Sequence, residues 1–421
     1  MLSEARLAQN QTPKDGVSYI LAPSVNDEHG EVRVPPGGTI ALFFALLVHG
    51  AFAQGLSAQQ SRPAHEAPRP IVGAIRWDAW FGNHGVVGEA VHRSLGPSKW
   101  HNRLPFYAKV NGDEAIEIDG TPQAVMDREI EYAAAAGLDY WAFVTYPADD
   151  PLSLALRRYL SSSVRSKIGF CLITECGRWP HQAFVDRVVS LMQEPGYQRV
   201  LDGRPLLYLG FINEQWLEKL GGVEGFRRVL DTFRATVTAR GLPRPYIVIM
   251  DFSPQQGKKW AEALGCDAIS SYVAGLGKGV IPYARMVENL EHFWEECRRT
   301  GAQVVPIVVT GWDPRPRVEK PMPWGSPYGS HDGEVDRSEP ATPAAIADHL
   351  RRGLRWLETH RHAAPAQAAI IYAWNEFDEG GWLAPTLSEG TARLDAVAGV
   401  LRPGATSRPS AVSHLATSTQ P

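Results

Sequence analysis

The sequence predicts a single-domain α/β fold, the (β/α)8 barrel, and three features of its 421 residues carry that prediction. Eight short runs of β-branched and aromatic residues recur between positions 71 and 374. Stretches of helical period separate them. Polar and aromatic groups gather where the runs end, at the face where barrels of this kind collect their functional residues.

The elements follow in order. The first run, 71–77 (IVGAIRW), is almost wholly apolar. Such a run belongs to a strand buried on both faces, as in a parallel sheet wrapped by helices. A helical stretch at 122–136 precedes the second strand, 140–146 (YWAFVTY), and 152–163 precedes the third, 168–174 (IGFCLIT). Helix 181–192 leads to strand 205–211 (PLLYLGF), helix 223–240 to 246–252 (YIVIMDF), and helix 256–264 to 268–273 (AISSYV). Helices 286–300 and 342–359 precede strands 304–310 (VVPIVVT) and 368–374 (AAIIYAW), and 390–400 closes the count. Gly137, Gly241, Gly265 and Gly301 stand where helix C-termini call for a left-handed residue. An open doubly wound sheet is the competing arrangement, but no GxGxxG follows the first strand.

Outside this unit, placed at 70–402, the chain changes character. Residues 39–53 (TIALFFALLVHGAFA) form an apolar run ending in Ala51-Phe52-Ala53, the small-x-small pattern that signal peptidase accepts. It is short for a membrane span. The 38 residues before it are long for an n-region, with only Arg33 close and positive, so Val32 or Val34 is a candidate start. An uncleaved anchor and a dispensable apolar tail are the other readings; export to the periplasm or medium is the expectation, with no stable membrane span in the mature form. Residues 54–69 read as a linker and 403–421 as a disordered tail.

A net charge of −4 without any Lys/Arg run points away from nucleic acid and anionic membranes. Cys171, Cys176, Cys266 and Cys297 show neither CxxC nor zinc spacing, so buried thiols are expected. There is no HExxH, no GxSxG and no His pair at ligand spacing. His331-Asp332 reads as a solvated loop, and His84 and His101 as structural or surface groups. No metal and no cofactor is predicted. Thirteen Trp and thirteen Tyr supply flat faces that suit sugar rings, or equally the helix–sheet layer of a large barrel.

The strand ends concentrate the chemistry. The first leads into Asp78 and Trp80, the second ends in Tyr146, and the third reaches Glu175 with Trp179 beyond it. The fifth contains Asp251, the sixth Tyr272, and the seventh runs into Trp312, Asp313, Arg315 and Arg317. The eighth leads through Trp374 and Asn375 to Glu376, Asp378, Glu379 and Trp382. Any one Asp here has capping of the next helix as its plain alternative; several converging on one mouth favour a binding site. Glu376 and Glu379 are three residues apart, and Gly380-Gly381 lets the backbone turn tightly after them. Two carboxylates facing one pocket are what glycoside cleavage requires, one to protonate the leaving oxygen and one to handle the opposing charge.

The eighth-strand segment WNEFDEGGWLAP resembles the W-N-E-x-x-E-G segment of glycoside hydrolase family 99 and of family-99-like domains in polysaccharide gene clusters. GAIRWDAWFG, AAAAGLDYWAFVTYP, ITECGRWP and GWDPRPR resemble the family's first, second, third and seventh strand segments, in order. The resemblance implies a (β/α)8 retaining α-mannoside hydrolase. Glu379 would be the general acid/base, and Glu376 would deprotonate the sugar 2-hydroxyl, which attacks its own anomeric carbon. Asp378 departs from the family's usual His, and Ala384 from a commonly acidic residue, which leaves α-glucans and other bacterial polysaccharides open as substrates. Asp78, Trp80, Tyr146, Glu175, Asp251, Tyr272, Trp312, Asp313, Trp374, Asn375 and Trp382 are the expected substrate contacts. A surface-polysaccharide transferase and a non-catalytic glycan-binding barrel are the competing functions. Oligomeric state is left open.

Overall fold

The computed structural model describes residues 69–325 and 328–403. The extension 1–38, the apolar run 39–53 and nearly all of the 54–69 linker and 403–421 tail lie outside the described residues.

All eight expected strands form, and all pair in parallel. They are β1 (Ile71–Arg76), β2 (Tyr140–Val144), β3 (Gly169–Glu175), β4 (Arg204–Gly210), β5 (Tyr246–Met250), β6 (Ala268–Ser270), β7 in two pieces (Gln303–Val304 and Ile307–Val309) and β8 (Ala368–Tyr372). Pro306 has no amide hydrogen, and it divides β7. The first piece pairs with β6 and the second with β8, so β7 joins the two ends of the sheet. Val305 N donates to Ile269 O at 3.0 Å, and Ile370 N to Pro306 O at 3.1 Å. With β8 also paired to β1, this is the (β/α)8 barrel.

The expected helices surround it: α2 (Gln123–Ala136), α3 (Leu154–Ser161), α4 (Gln182–Met192), α5 (Gly222–Ala239), α6 (Pro254–Leu264), α7 (Tyr283–Arg299), α9 (Pro343–Thr359) and α10 (Ala392–Leu401). Gly137, Gly241, Gly265 and Gly301 all take left-handed φ angles of 62–84°. Two elements near the mouth escape the sequence reading, α1 (Gly85–Leu95) and α8 (Arg315–Glu319). GVVGEAVHRSL has two glycines and three valines, which argue against a helix, but burial of Val87, Ala90, Val91 and Leu95 overrides propensity. A small antiparallel pair, Ala108–Val110 with Ile116–Ile118, lies in the same long β1–β2 excursion.

Side-chain alternation along each strand sends one set into the barrel and the other toward the helices. In β2, Trp141 and Phe143 face out and meet Tyr159 of α3. Tyr140 faces in: its hydroxyl lies 2.9 Å from the Tyr208 hydroxyl of β4 and donates to Ala369 O of β8 at 3.1 Å. The ring spans the interior only because β1 offers Gly73 opposite it; a Cβ there would stand 2.2 Å from the ring. The four cysteines are free thiols, Cys266 half-buried and the rest buried. Among the described residues, no helix is long and apolar enough to cross a membrane.

Gly73→Ala is expected to destabilise the fold by about 1–3 kcal/mol, because a fully buried, doubly hydrogen-bonded ring has nowhere to move. Urea unfolding at neutral pH measures it.

Candidate active site

The loop after β8 is a tight hairpin. Asn375 and Glu376 pair with Trp382 and Gly381 across a single 3-10 turn, Phe377–Glu379. Gly380 has φ 81°, and a Cβ on it would lie 2.6 Å from Asp313 N; one on Gly381 would lie 2.3 Å from the Tyr372 ring. The glycine pair therefore lets the eighth-strand loop pack directly on the seventh, where Asp313 N donates to Glu379 O at 2.6 Å. That packing turns the side chains at both ends of the turn toward one point.

At that point stands Arg317, carried by α8. Its Nη2 donates to Glu376 Oε2 at 3.1 Å and to Asp378 Oδ1 at 2.8 Å, and its Nη1 donates to Glu379 Oε1. Trp77 lies against the guanidinium, 4.9 Å from its carbon. Three phenols complete the set. Tyr272 donates to Glu376 Oε1 at 2.7 Å, Tyr328 to Glu379 Oε1 at 2.8 Å, and Tyr372 to Glu379 Oε2. Ser94 of α1 donates to Asp378 Oδ2 at 3.2 Å. Exposure is 1 % for Glu376, 0 % for Asp378, 6 % for Glu379 and 4 % for Arg317, so water screens these charges little. Burial, then the Glu379 and Asp378 carboxylates, push the Glu376 carboxyl well above its ordinary range, while Arg317 and Tyr272 pull the other way. Burial first, and the carboxylates with it, also raise the Tyr272 and Tyr372 phenols, which keeps them donors.

A second buried network ties this hairpin to β1. Arg76 donates to Asp78 Oδ1 at 2.8 Å and to Glu129 at 2.7 Å. Asn375 Nδ2 donates to Asp78 Oδ1 at 3.1 Å, and Trp77 N to Asn375 Oδ1 at 3.0 Å. Trp80 Nε1 donates to Asn375 O, and Trp374 Nε1 to Glu129 Oε1. Burial pushes Asp78 up to about 6 against the opposing charge of Arg76. Asp78, Trp80, Trp374 and Asn375 thus form a buckle behind Glu376. Trp374 is fully buried, its ring 5.0 Å from Trp141 on the helix side of β2.

The other expected contacts divide. Tyr272 and Trp312 join the carboxylate cluster, Trp312 through ring contacts with Tyr328 and Tyr372. Tyr146 is buried and accepts from Trp77 Nε1 at 3.0 Å. Arg178, which lies over the Tyr146 ring, stands 3.3 Å from Glu175. Burial raises Glu175 to about 7, Arg178 opposing it. Asp313 is forked by Arg315 and paired with Arg103; burial opposes these cations, yet they hold its carboxyl below the usual range. Trp382 lies flat beneath Arg393, 3.8 Å away. Asp251 is not brought to the cluster: its carboxylate accepts from Ser253 N at 2.8 Å in the turn before α6, and Ser253 itself caps that helix through Gln256 N. Trp179 packs among Phe184, Phe226 and Phe233 in the helix layer.

Besides Ser94 and Trp77, four aromatic contributors escaped the sequence reading. Tyr372 sits inside an apolar strand and reads as core. Tyr328 and Trp324 lie in a long irregular excursion; Trp324 is half-buried, edge-on to Trp77 at 6.2 Å. Half-buried Phe211 meets Tyr272 at 5.5 Å. Strand parity in β8 is the one signal that would have pointed at Tyr372.

Among solved structures, the chain resembles the GH99 endo-α-mannosidase of Bacteroides thetaiotaomicron in complex with BIS-TRIS-propane. The TM-score is 0.51 at 14% identity, over 78% of this chain and 96% of that one. A second structure of the endo-α-mannosidase matches with a TM-score of 0.46 at 13% identity, over 75% and 88% of the two chains. No protein-family model and no curated protein matches the chain. The first likeness agrees with the strand pairing: the fold is a (β/α)8 barrel.

The raised Glu175 carboxyl makes a stability prediction. An acid lifted from 4.5 to about 7 stabilises the fold below its unfolded value and loses that contribution as pH rises through 7. Glu175→Gln has no such loss. Its stability relative to the parent should grow between pH 5 and 8, by on the order of 2–3 kcal/mol in urea unfolding. Parallel pH dependences would show that the buried carboxylate is relieved some other way.

Proposed function

We propose that the chain is a retaining glycoside hydrolase acting on an α-linked glycan, an α-mannoside or a related bacterial polysaccharide. The observation that carries the reading is the pairing of Glu376 and Glu379 through one guanidinium fork at the C-terminal mouth of the barrel. Groups bridged so closely suit a retaining mechanism, in which the carboxyls stand nearer together than the roughly 6.5–9.5 Å of inverting enzymes.

In this reading Glu379 protonates the leaving oxygen as the glycosidic C–O bond breaks. Glu376 removes the proton of the sugar 2-hydroxyl, whose oxygen attacks the anomeric carbon and gives a 1,2-anhydro sugar. Glu379 then deprotonates the water that opens this ring, and Glu376 returns its proton to the 2-oxygen. Burial with two neighbouring carboxylates raises the Glu376 carboxyl before substrate binds, so the cycle begins with transfer of that proton to Glu379, which leaves Glu376 ionised to act as the base. Half-buried Trp324, Tyr328 and Phe211 border the cluster and offer faces on which a sugar ring could stack. The apolar run at 39–53 fits an enzyme that meets polysaccharide outside the cytosol.

A non-catalytic glycan-binding barrel is the second reading, and the near-complete burial of Glu376 favours it. The two separate in one experiment. The chain and its Glu379→Gln variant are incubated with α-mannans, α-glucans and bacterial polysaccharides, and released reducing ends are counted. The parent should release them and the variant be slower by about 10²–10⁴-fold, with polysaccharide binding retained. Binding without release, identical in both, would leave the binding barrel.

A further inference from the structure

Among the described residues, Arg317 is the single cation that hydrogen-bonds all three carboxylates of the cluster. If Glu376, Asp378 and Glu379 were all ionised, they would leave two uncompensated negative charges against one guanidinium in a space almost closed to water. A proton retained within the cluster would relieve this. The described groups facing it from the surrounding elements do not supply a second cation within hydrogen-bond reach. The loop after β6 brings Tyr272, β8 brings Tyr372, the stretch after α8 brings Tyr328, and α1 brings the uncharged Ser94. Tyr146, an uncharged phenol, acts on Tyr272 only electrostatically. Arg103 is engaged by Asp313, and its charge reaches Asp378 only at longer range.

We propose that Arg317 is a positioning residue that fixes how many protons Glu376, Asp378 and Glu379 share, and thereby sets the pH window in which the pair works. The proposal rests on the hydrolase reading for its functional consequence, but not for its physical content. The loop context agrees with it. Arg317 is nearly buried, backed by Trp77, and its Nη1 also meets Tyr328 at 3.3 Å, so its position is held from several sides.

Removing the cation raises the affinity of every carboxyl in the cluster for protons. In a bell-shaped profile, the acidic limb reports the group that must be ionised and the alkaline limb the group that must carry the proton. Both limbs should therefore move to higher pH together.

The test is a titration of the full chain with 13C-labelled Asp and Glu side chains, comparing the parent with Arg317→Gln and Arg317→Lys. Carboxyl shifts are read by NMR from pH 4 to 9, and folding is monitored by circular dichroism. Arg317→Gln should raise the cluster's midpoints by about 1–3 pH units. Arg317→Lys keeps the charge as a single point contact, so its midpoints should rise by less. Midpoints unmoved in a folded Gln variant, or in the Lys variant should Gln not fold, would overturn the proposal. So would a pH–rate profile for Arg317→Gln that is lower but not displaced. Displaced midpoints without glycan release by the parent would uphold the assignment of Arg317 and sink the hydrolase reading. Release by the parent with unmoved midpoints would sink the assignment of Arg317 alone.

Discussion

Three carboxylates buried around one guanidinium are the constraint on which the rest of the mouth depends. Charges taken out of water are costly unless each oxygen finds a donor and the net charge is kept small. The structure meets both conditions at once. Arg317 reaches all three carboxylates, Tyr272, Tyr328, Tyr372 and Ser94 fill further acceptor positions, and the raised Glu376 carboxyl lowers the charge. A donor set this complete holds the side chains in one geometry, which is what a reaction with two cooperating carboxyls demands.

The barrel supplies the donors from elements far apart in sequence. Parallel strands all end at one face, so Tyr272 after β6, Arg317 after β7, and Tyr372 with both glutamates on or after β8 converge without any local relation between them. Behind them, the Arg76–Asp78–Glu129 network grips Asn375 and Trp374 and fixes the root of the eighth-strand hairpin to β1. Its front is fixed by backbone: Gly380 and Gly381 approach Asp313 and Tyr372 more closely than any side chain would permit. Polar groups that might have lined a cleft are thus spent on holding the loop that carries the glutamates.

This division explains what could be read from sequence. Apolar runs bounded by turn residues were enough for the eight strands, because a strand buried on both faces leaves no other pattern. The Glu376–Glu379 spacing and the glycines after it were equally legible, since the turn is local. Which aromatic faces solvent was not legible: Trp374 and Trp80 stand at strand ends like any sugar-stacking residue, and only tertiary packing shows their indole nitrogens turned inward to Glu129 and to the Asn375 carbonyl. Asp251 reads like the other acids, yet a hydrogen bond two residues along the chain claims it. Arg317 was visible as one basic residue after β7. That it meets all three carboxylates depends on α8, a five-residue helix with Pro314 before it and Pro316 within it, which no periodicity announces.

If Glu376 and Glu379 jointly face a glycosidic bond, a crystal structure of the Glu379→Gln chain with a bound α-linked oligosaccharide shows it without recourse to kinetics. The expected complex has a glycosidic oxygen within hydrogen-bond reach of the substituted side-chain amide and the adjoining 2-hydroxyl within reach of Glu376. An oligosaccharide bound in the barrel mouth with its glycosidic oxygen remote from both positions, and Arg317 still bridging Glu376 and Asp378, would contradict it.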